Sequence, residues 1–436
     1  MKAGNQPFYN SSIPSDWTTP EFGEVFTFLK SYSFSREQLS DEKTTDEVQN
    51  IHYGDIHATF ENEILDFEIE KRIPFVKDGL INTDKLNDEE FPFLKDGDLI
   101  IADASEDTVG VAESIELKNV NSRKIVSGLH TFAARDKNGK TVAGYRTYLL
   151  RHPQVIRELR RIATGFSVFG ISKTSLGKVK LPLPPPNEQK AFAELLFLMD
   201  TAINITNQLI AIKELNMIWI RQQLLSGKKR LSGFTAQWDE VNLGDIGEFK
   251  NGINKDKEEF GHGHPLVGLM DVFGIPKVFN TKFSLVNSSE NERRNFDLRK
   301  GDVLFVRSSV KPVGVGLTTL VSEDIPDATF SGFLIRFRAN EKLDFEFKEH
   351  CFFERDFRQR LLNKSTISAN TNINQVALKS LSILLPPLQE QRAISQVLHV
   401  MNKEIQLLKS KTIKLREKKK GLMQQLLTGK KRLKVK

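Results

Sequence analysis

A chain of 436 residues with 39% hydrophobic and 27% charged residues is long enough for two or three domains and has the balance of an ordinary globular protein. Its one cysteine, Cys351, excludes an internal disulfide and suits a reducing compartment, while the net charge of +7 favours a polyanionic partner. The start, Met1-Lys2-Ala3-Gly4-Asn5-Gln6-Pro7, lacks the apolar core of a signal peptide, and no uncharged apolar run reaches about 18 residues. A cytoplasmic protein without a membrane partner is expected.

In chain order, residues 1–182 read as alternating apolar strands punctuated by Gly and Asp turns. Landmarks are Trp17 with Phe22-Gly23-Glu24-Val25, then Lys95-Asp96-Gly97-Asp98-Leu99-Ile100, Val109-Gly110-Val111 and Ser127-Gly128-Leu129. Residues 183–231 open on Leu183-Pro184-Pro185-Pro186-Asn187-Glu188-Gln189-Lys190-Ala191, where proline stops a strand and presets a helix start. From there, positions spaced alternately by four and three are mostly apolar: Phe192, Leu196, Met199, Ile203, Thr206, Ile210, Lys213, Met217, Ile220 and Leu224. That spacing is a coiled-coil seam. The helix is predicted to end at Ser226-Gly227, with Lys228, Lys229 and Arg230 suiting the negative end of its dipole. Off the seam it carries Leu195, Leu198, Ile205, Leu209, Ile212 and Trp219. Two readings stand for that face: packing on the chain's own domains, or docking of a separate subunit.

Residues 232–384 repeat the strand landmarks loosely, as Trp238 with Leu243-Gly244-Asp245-Ile246, Arg299-Lys300-Gly301-Asp302-Val303-Leu304, Val313-Gly314-Val315 and Ser331-Gly332-Phe333, with a short helix near Phe347–Leu362. Residues 385–436 repeat the helix closely and end in a basic tail. Leu385-Pro386-Pro387-Leu388-Gln389-Glu390-Gln391-Arg392-Ala393 answers the first lead-in. The seam returns as Ile394, Leu398, Met401, Ile405, Leu408, Thr412, Leu415, Lys419, Leu422 and Leu426. The ending Gln222-Gln223-Leu224-Leu225-Ser226-Gly227-Lys228-Lys229-Arg230-Leu231 returns as Gln424-Gln425-Leu426-Leu427-Thr428-Gly429-Lys430-Lys431-Arg432-Leu433. Lead-in and ending are both displaced by 202 residues, so the segment is a tandem duplication without net insertion between its landmarks. An exposed seam needs a partner, and the other copy supplies one; the intervening domain must bring the chain back, so the helices are predicted to run antiparallel. The stretch up to Trp17 supplies the continuation that the C-terminus lacks. The predicted fold is α+β: two similar mixed α/β domains joined by two long antiparallel coiled-coil helices with circular pseudo-two-fold symmetry.

Signatures of catalysis are missing. Gly227-Lys228-Lys229 has Gln222 where a phosphate loop needs its first Gly and Lys229 where it needs Ser or Thr. The proline runs follow Leu and do not form the Asn-Pro-Pro-aromatic or Asp-Pro-Pro-aromatic tetrapeptide of amino-group DNA methyltransferases. His262 and His264 are a lone His-x-His between glycines, and Cys351 reads as a buried structural thiol. No catalytic residue, metal or cofactor is expected.

Taken together, the chain resembles the DNA specificity subunit of type I restriction-modification systems over nearly its whole length. The resemblance rests on Leu-Pro-x-Pro-x-x-x-Glu-Gln at Leu181–Gln189, Leu-Leu-Pro-Pro-Leu-Gln-Glu-Gln at Leu384–Gln391, and the duplicated helix endings. It rests also on Gly97-Asp98-Leu99-Ile100 through Asp103-Ala104-Ser105-Glu106-Asp107, and Gly301-Asp302-Val303-Leu304 through Arg307-Ser308-Ser309. The resemblance implies two target-recognition domains, each reading half of a bipartite asymmetric site in double-stranded DNA, with two helices as spacer. It implies methylation subunits, two of them, bound along the helices, and restriction subunits in the full complex, where those subunits carry the chemistry. Base-reading and phosphate-binding side chains must then be sought among polar and basic residues. The candidates are Arg123, Lys124, Arg135, Arg146, Ser167, Lys173 and Lys178 in the first domain, and Arg307, Ser308, Lys311, Arg336, Lys364, Thr366, Asn370 and Asn372 in the second. For each, a solvated surface residue is the competing reading. A stand-alone bipartite DNA-binding regulator without enzyme partners is the alternative for the whole chain, ahead of a structural coiled-coil scaffold.

Overall fold

The computed structural model describes residues 4–82, 86, 91–108, 110–367 and 370–433; Val109 of the Val109-Gly110-Val111 match and the last three residues of the basic tail lie outside the described residues. The chain forms two compact units, Met1–Asn207 with Lys411–Lys436, and Gln208–Ser410.

The first unit is built on five strands: β1 (Phe26–Leu29), β2 (Ile64–Asp66), β3 (Leu99–Ala102), β4 (Ser114–Lys118) and β5 (Thr131–Asp136), in the spatial order β1-β5-β3-β4-β2. All neighbours are antiparallel except β4 and β2, which are parallel. The long helix α1 (Pro186–Leu225) follows. The second unit repeats the plan with β6 (Gly247–Asn251), β7 (Lys277–Val278), β8 (Val303–Val306), β9 (Thr318–Val321) and β10 (Leu334–Ala339), in the order β6-β10-β8-β9-β7 and again with one parallel pair, β9 with β7. The helix α2 (Leu388–Leu427) closes the chain. The sequence likeness between halves is weak outside the helices, yet strand order and sense coincide.

The apolar pattern explains these sheets. The central strands β3 (Leu-Ile-Ile-Ala) and β8 (Val-Leu-Phe-Val) are apolar at consecutive positions and buried throughout, as strands covered on both faces must be. In β3, Leu99 and Ile101 join one core while Ile100 and Ala102 join another; in β8, Val303 and Phe305 split from Leu304 and Val306 in the same way. The Gly-Asp pair before each strand is a turn lock. Gly97 and Gly301 sit at φ +81° and +92°, a region that favours glycine. Asp98 accepts the Lys95 amide at 2.7 Å and the Arg135 guanidinium at 2.8 and 2.6 Å; Asp302 accepts the Arg299 amide at 2.8 Å and the Arg338 guanidinium at 2.7 and 2.6 Å.

Each unit also contains the start of one long helix and the end of the other, and here the most repeated motifs find their structural reason. In the first unit, Glu188 accepts from the Trp17 indole at 3.1 Å and from Arg432 through two bonds of 2.6 Å, so the Gly-Lys-Lys-Arg ending of α2 closes on the Glu-Gln opening of α1. In the second unit, Glu390 accepts from Trp238 at 2.8 Å and from Arg230 through two bonds of 2.6 Å. The neighbouring glutamines are fully used. Gln189 accepts the Val142 amide and donates to the carbonyls of Lys140 and Pro184; Gln391 accepts the Asp344 amide and donates to those of Lys342 and Pro386. The terminal glycines, Gly429 and Gly227, have positive φ and lie under the rings of Trp17 and Trp238, where a Cβ would stand 3.5 and 3.3 Å from the indole. Trp17 therefore does for α2 what Trp238 does for α1, as the circular reading requires.

Within each unit the helix segments run antiparallel. In the first, Leu196 shares a core with Leu426, and Asp200 pairs with Lys419 at 2.6 Å; in the second, Lys213 pairs with Glu404 at 2.9 Å and Leu224 shares a core with Leu398. Along the seam, Leu196, Met199, Ile203, Leu224, Leu398, Ile405 and Leu426 are buried, while Ile210, Met401 and Leu408 are half-buried. The polar exceptions are specific: Lys419 lies buried between Asp200 and Glu63. By length and apolar content alone α1 could cross a membrane, yet one of its faces, at Phe192, Leu196, Met199 and Ile203, is built into the first unit's interior. The short helix expected near Phe347–Leu362 is two 3-10 turns, Phe347–Glu349 and Cys351–Phe353, followed by a helix over Arg355–Asn363. Cys351 is buried in the second turn, and burial pushes its thiol far above the usual range.

Candidate nucleic-acid interface

At the end of β3 the chain leaves the sheet at Asp103 and forms the short strand Ala104–Ser105, which pairs with Phe169–Gly170, itself paired with Thr164–Gly165. At the end of β8 the chain leaves at Arg307, forms Ser308–Ser309, and pairs with Thr371–Asn372, itself paired with Thr366–Ile367. Both hairpins run into a short helix capped by a side chain, Ser172 accepting the Ser175 amide and Asn374 accepting the Ala377 amide. Backbone bonds make the equivalence exact to the residue: the Asp103 amide donates to His130 and its carbonyl accepts from Ile171, while the Arg307 amide donates to Phe333 and its carbonyl accepts from Ile373.

The first hairpin turns through Gly165 at φ +143°, where a Cβ would lie 1.9 Å from the Val168 carbonyl oxygen; only glycine fits. Its tip presents Phe166, fully exposed, with Ser167 and Val168; the second hairpin presents Ile367, 80% exposed.

Of the residues singled out in the sequence, the second unit brings Arg307, Ser308, Thr366 and Asn372 onto this small sheet, with Asn370 in its hairpin and Lys311 exposed just beyond Ser309. Arg307 donates to the Gly332 carbonyl at 3.2 Å, and Lys364 donates to Ser380 at 2.7 Å at the hairpin base. In the first unit Ser167 lies on the tip, and Lys173 is exposed beside it, its ammonium 5.7 and 5.6 Å from the ring centres of Phe28 and Phe132. Lys178 caps the short helix that follows. The others lie elsewhere. Arg123, exposed, donates to the Phe67 carbonyl, and Lys124 opens the strand Lys124–Ser127. Arg135 is held by Asp98, and Arg146 donates to Thr141 and to the Gly97 carbonyl. Arg336 is buried against Asp297 at 2.7 Å, and desolvation pulls its pKa down.

Sequence reasoning missed Asp103 and His130 as a side-chain pair, joined at 3.2 Å, with Tyr53 packed edge-on to His130. Burial raises the Asp103 pKa against the opposing effect of His130. It missed the apolar residues Phe166, Val168 and Ile367 of the two hairpins too, although Thr164 and Thr366 are separated by the same 202 residues as the helix motifs. Among the described residues no three His, Cys, Asp or Glu side chains converge to hold a metal ion.

On α1, Leu198, Ile205, Leu209, Ile212 and Trp219 are exposed and Leu195 is half-buried in the first unit's core; Phe197, Leu215 and Ile218 add further exposed apolar surface. The α2 positions 409–420 carry instead Lys409, Lys411, Lys414, Arg416, Lys418, Lys419 and Lys420.

Two copies of one mixed α/β plan, each ending in a long helix, define an internally duplicated two-unit protein. The profile of the type I restriction modification DNA specificity domain matches residues 14–214 and again 236–417, and the chain belongs to that family. The EcoKI specificity subunit of Escherichia coli K12 is 24% identical over 265 residues, 58% of this chain and 57% of its own length, so that alignment spans little more than half of either. The StySPI specificity subunit of Salmonella potsdam is 23% identical over 88% of this chain and 81% of its own. The crystal structure of the HsdS subunit from Thermoanaerobacter tengcongensis shares the fold, with 19% identity, coverage of 96% of this chain and 97% of that one, and a TM-score of 0.52.

Proposed function

We propose that the chain recognises a bipartite asymmetric site in double-stranded DNA and positions methylation and restriction subunits on it, contributing no catalytic group itself. The observation that carries this reading is the pair of equivalent, exposed hairpins whose strand pairing and flanking backbone bonds correspond while most of their side chains differ. One scaffold with two unlike surfaces suits the reading of two unlike half-sites. Residues 1–182 and 232–384 are the two readers, and 183–231 with 385–436 are the spacer. Ser167, Lys173 and Lys178 in the first reader, and Arg307, Ser308, Lys311, Lys364, Thr366, Asn370 and Asn372 in the second, are the DNA contacts that placement supports. Arg123 and Lys124 are assigned to phosphate contact. Arg135, Arg146 and Arg336, engaged by carboxylates and carbonyls, are assigned to holding the scaffold.

The apolar face of α1 is assigned to the methylation subunits, two per chain, since a contiguous exposed stripe of Leu, Ile and Trp suits a protein cover. The test is an exchange. Replacing residues 18–180 by the corresponding segment of another family member, and mapping methylated bases in the host genome, should change one half-site and leave the other. A change in both, or no methylation that depends on this gene, would overturn the reading.

A further inference from the structure

The equivalence of Asp103 and Arg307 extends to what they can ask of a base, and we infer that they read opposite chemistries: Asp103, steadied by His130, a cytosine, and Arg307 a guanine. The inference rests on the DNA-recognition reading above. Both residues occupy the same step out of the sheet, fixed by the same pair of backbone bonds. Each lies beside the hairpin that carries its unit's exposed tip. A carboxylate at a polyanion surface is repelled by phosphate, so its place there is explained by a donor that it can accept from. In the major groove only cytosine N4 and adenine N6 offer an amino group. Adenine sets its N7 lone pair beside that amino group, facing the second carboxylate oxygen with another acceptor. Cytosine does not, and is the better match. His130 engages one oxygen of Asp103 through Nδ1 at 3.2 Å, which orients the carboxylate and leaves its other oxygen to the base.

Arg307 presents the reverse. Its guanidinium donates to the Gly332 carbonyl through one nitrogen at 3.2 Å and forms no ion pair among the described residues. The remaining donors match the two acceptors on the guanine edge, O6 and N7. The backbone acceptor is His130 in the first unit and Phe333 in the second, so the position that supplies the imidazole beside Asp103 carries a phenyl side chain in the other half.

The experiment is base-resolved methylation by the complete complex, purified with its methylation subunits, on duplex panels varied at every position of its mapped site. Arg307→Gln should turn a guanine requirement in one half-site into an adenine preference, and Asp103→Asn should turn a cytosine requirement in the other half-site toward adenine. Each should move relative rates at that one position by about tenfold to a hundredfold, with the opposite half-site unaltered. Asp103→Asn keeps the shape and the bond to His130, so loss of the fold does not obscure the result. His130→Ala should relax the same position as Asp103→Asn and no other. If the complex methylates its bipartite site and these variants keep every base preference, the assignment of Asp103 and Arg307 fails while the function stands. If the complex recognises no bipartite site, the underlying reading fails first.

Discussion

Removing Arg230 should open the second unit while leaving the first intact. The Glu390 side chain is 1% exposed and that of Arg230 is 27%, and the two share a pair of 2.6 Å bonds, with the Trp238 indole as third partner. Arg230→Ala strands a buried carboxylate with one neutral donor. Taking away one member of such a pair costs about 3–5 kcal/mol, and the partial exposure of the arginine puts the expected loss near the lower end, about 3 kcal/mol. Hydrogen exchange read by mass spectrometry separates the units. Amides of β6, β8 and β10 that exchange through unfolding of the unit should then exchange on the order of a hundredfold faster, while those of β1, β3 and β5 keep their rates. Arg230→Met combined with Glu390→Gln removes both charges and should recover most of the loss, since the penalty lies in the stranded charge. Unchanged protection in Arg230→Ala, or a double variant as labile as the single one, would refute the clamp as the reason for the duplicated Glu-Gln and Gly-Lys-Lys-Arg motifs.

Three further outcomes are expected. Burial raises Glu116 to about 7 although it accepts the Gly144 amide at 2.5 Å; because the folded value exceeds the unfolded one, its stabilising contribution is complete below about pH 4.5 and lost as pH rises through 7. Urea titration should show the first unit about 3 kcal/mol less stable at pH 8 than at pH 4.5 from this group, a slope that Glu116→Gln abolishes; equal slopes in both proteins would refute it. Inserting one heptad at matched places in α1 and α2 should lengthen the unread stretch between half-sites by about three base pairs, since each heptad adds about 10 Å; an unchanged methylated motif would exclude a spacer role. Ile212→Glu with Trp219→Glu should abolish co-purification with methylation subunits without lowering the thermal midpoint by more than about 1 kcal/mol equivalent, because both side chains are exposed.

What could be read from the sequence followed the strength of the local pattern. The helices were legible because a buried seam repeats every seven residues and because their ends need glycine at positive φ, as Gly227 and Gly429 show. The five-stranded sheets were legible only in part. Gly97-Asp98 and Gly301-Asp302 mark two equivalent strands, since each aspartate must lock its turn, but the register of β2 and β7 depends on parallel pairing between residues far apart. Base-reading candidates were the least legible, for a physical reason. Arg135 lies near the end of an apolar strand and Arg307 just after one, yet Asp98 claims the first guanidinium and no carboxylate claims the second among the described residues. Composition cannot tell a held cation from an available one; only the position of the neighbouring carboxylate does. The same duplication that made the helices obvious supplies a further criterion. Where the halves agree in side chain, at Glu188 and Glu390, Gln189 and Gln391, Asp98 and Asp302, the residues hold the fold; where the backbone agrees and the side chain changes sign, as at Asp103 and Arg307, the shared backbone bonds require neither side chain, and for that reason these two positions carry the base-reading proposal.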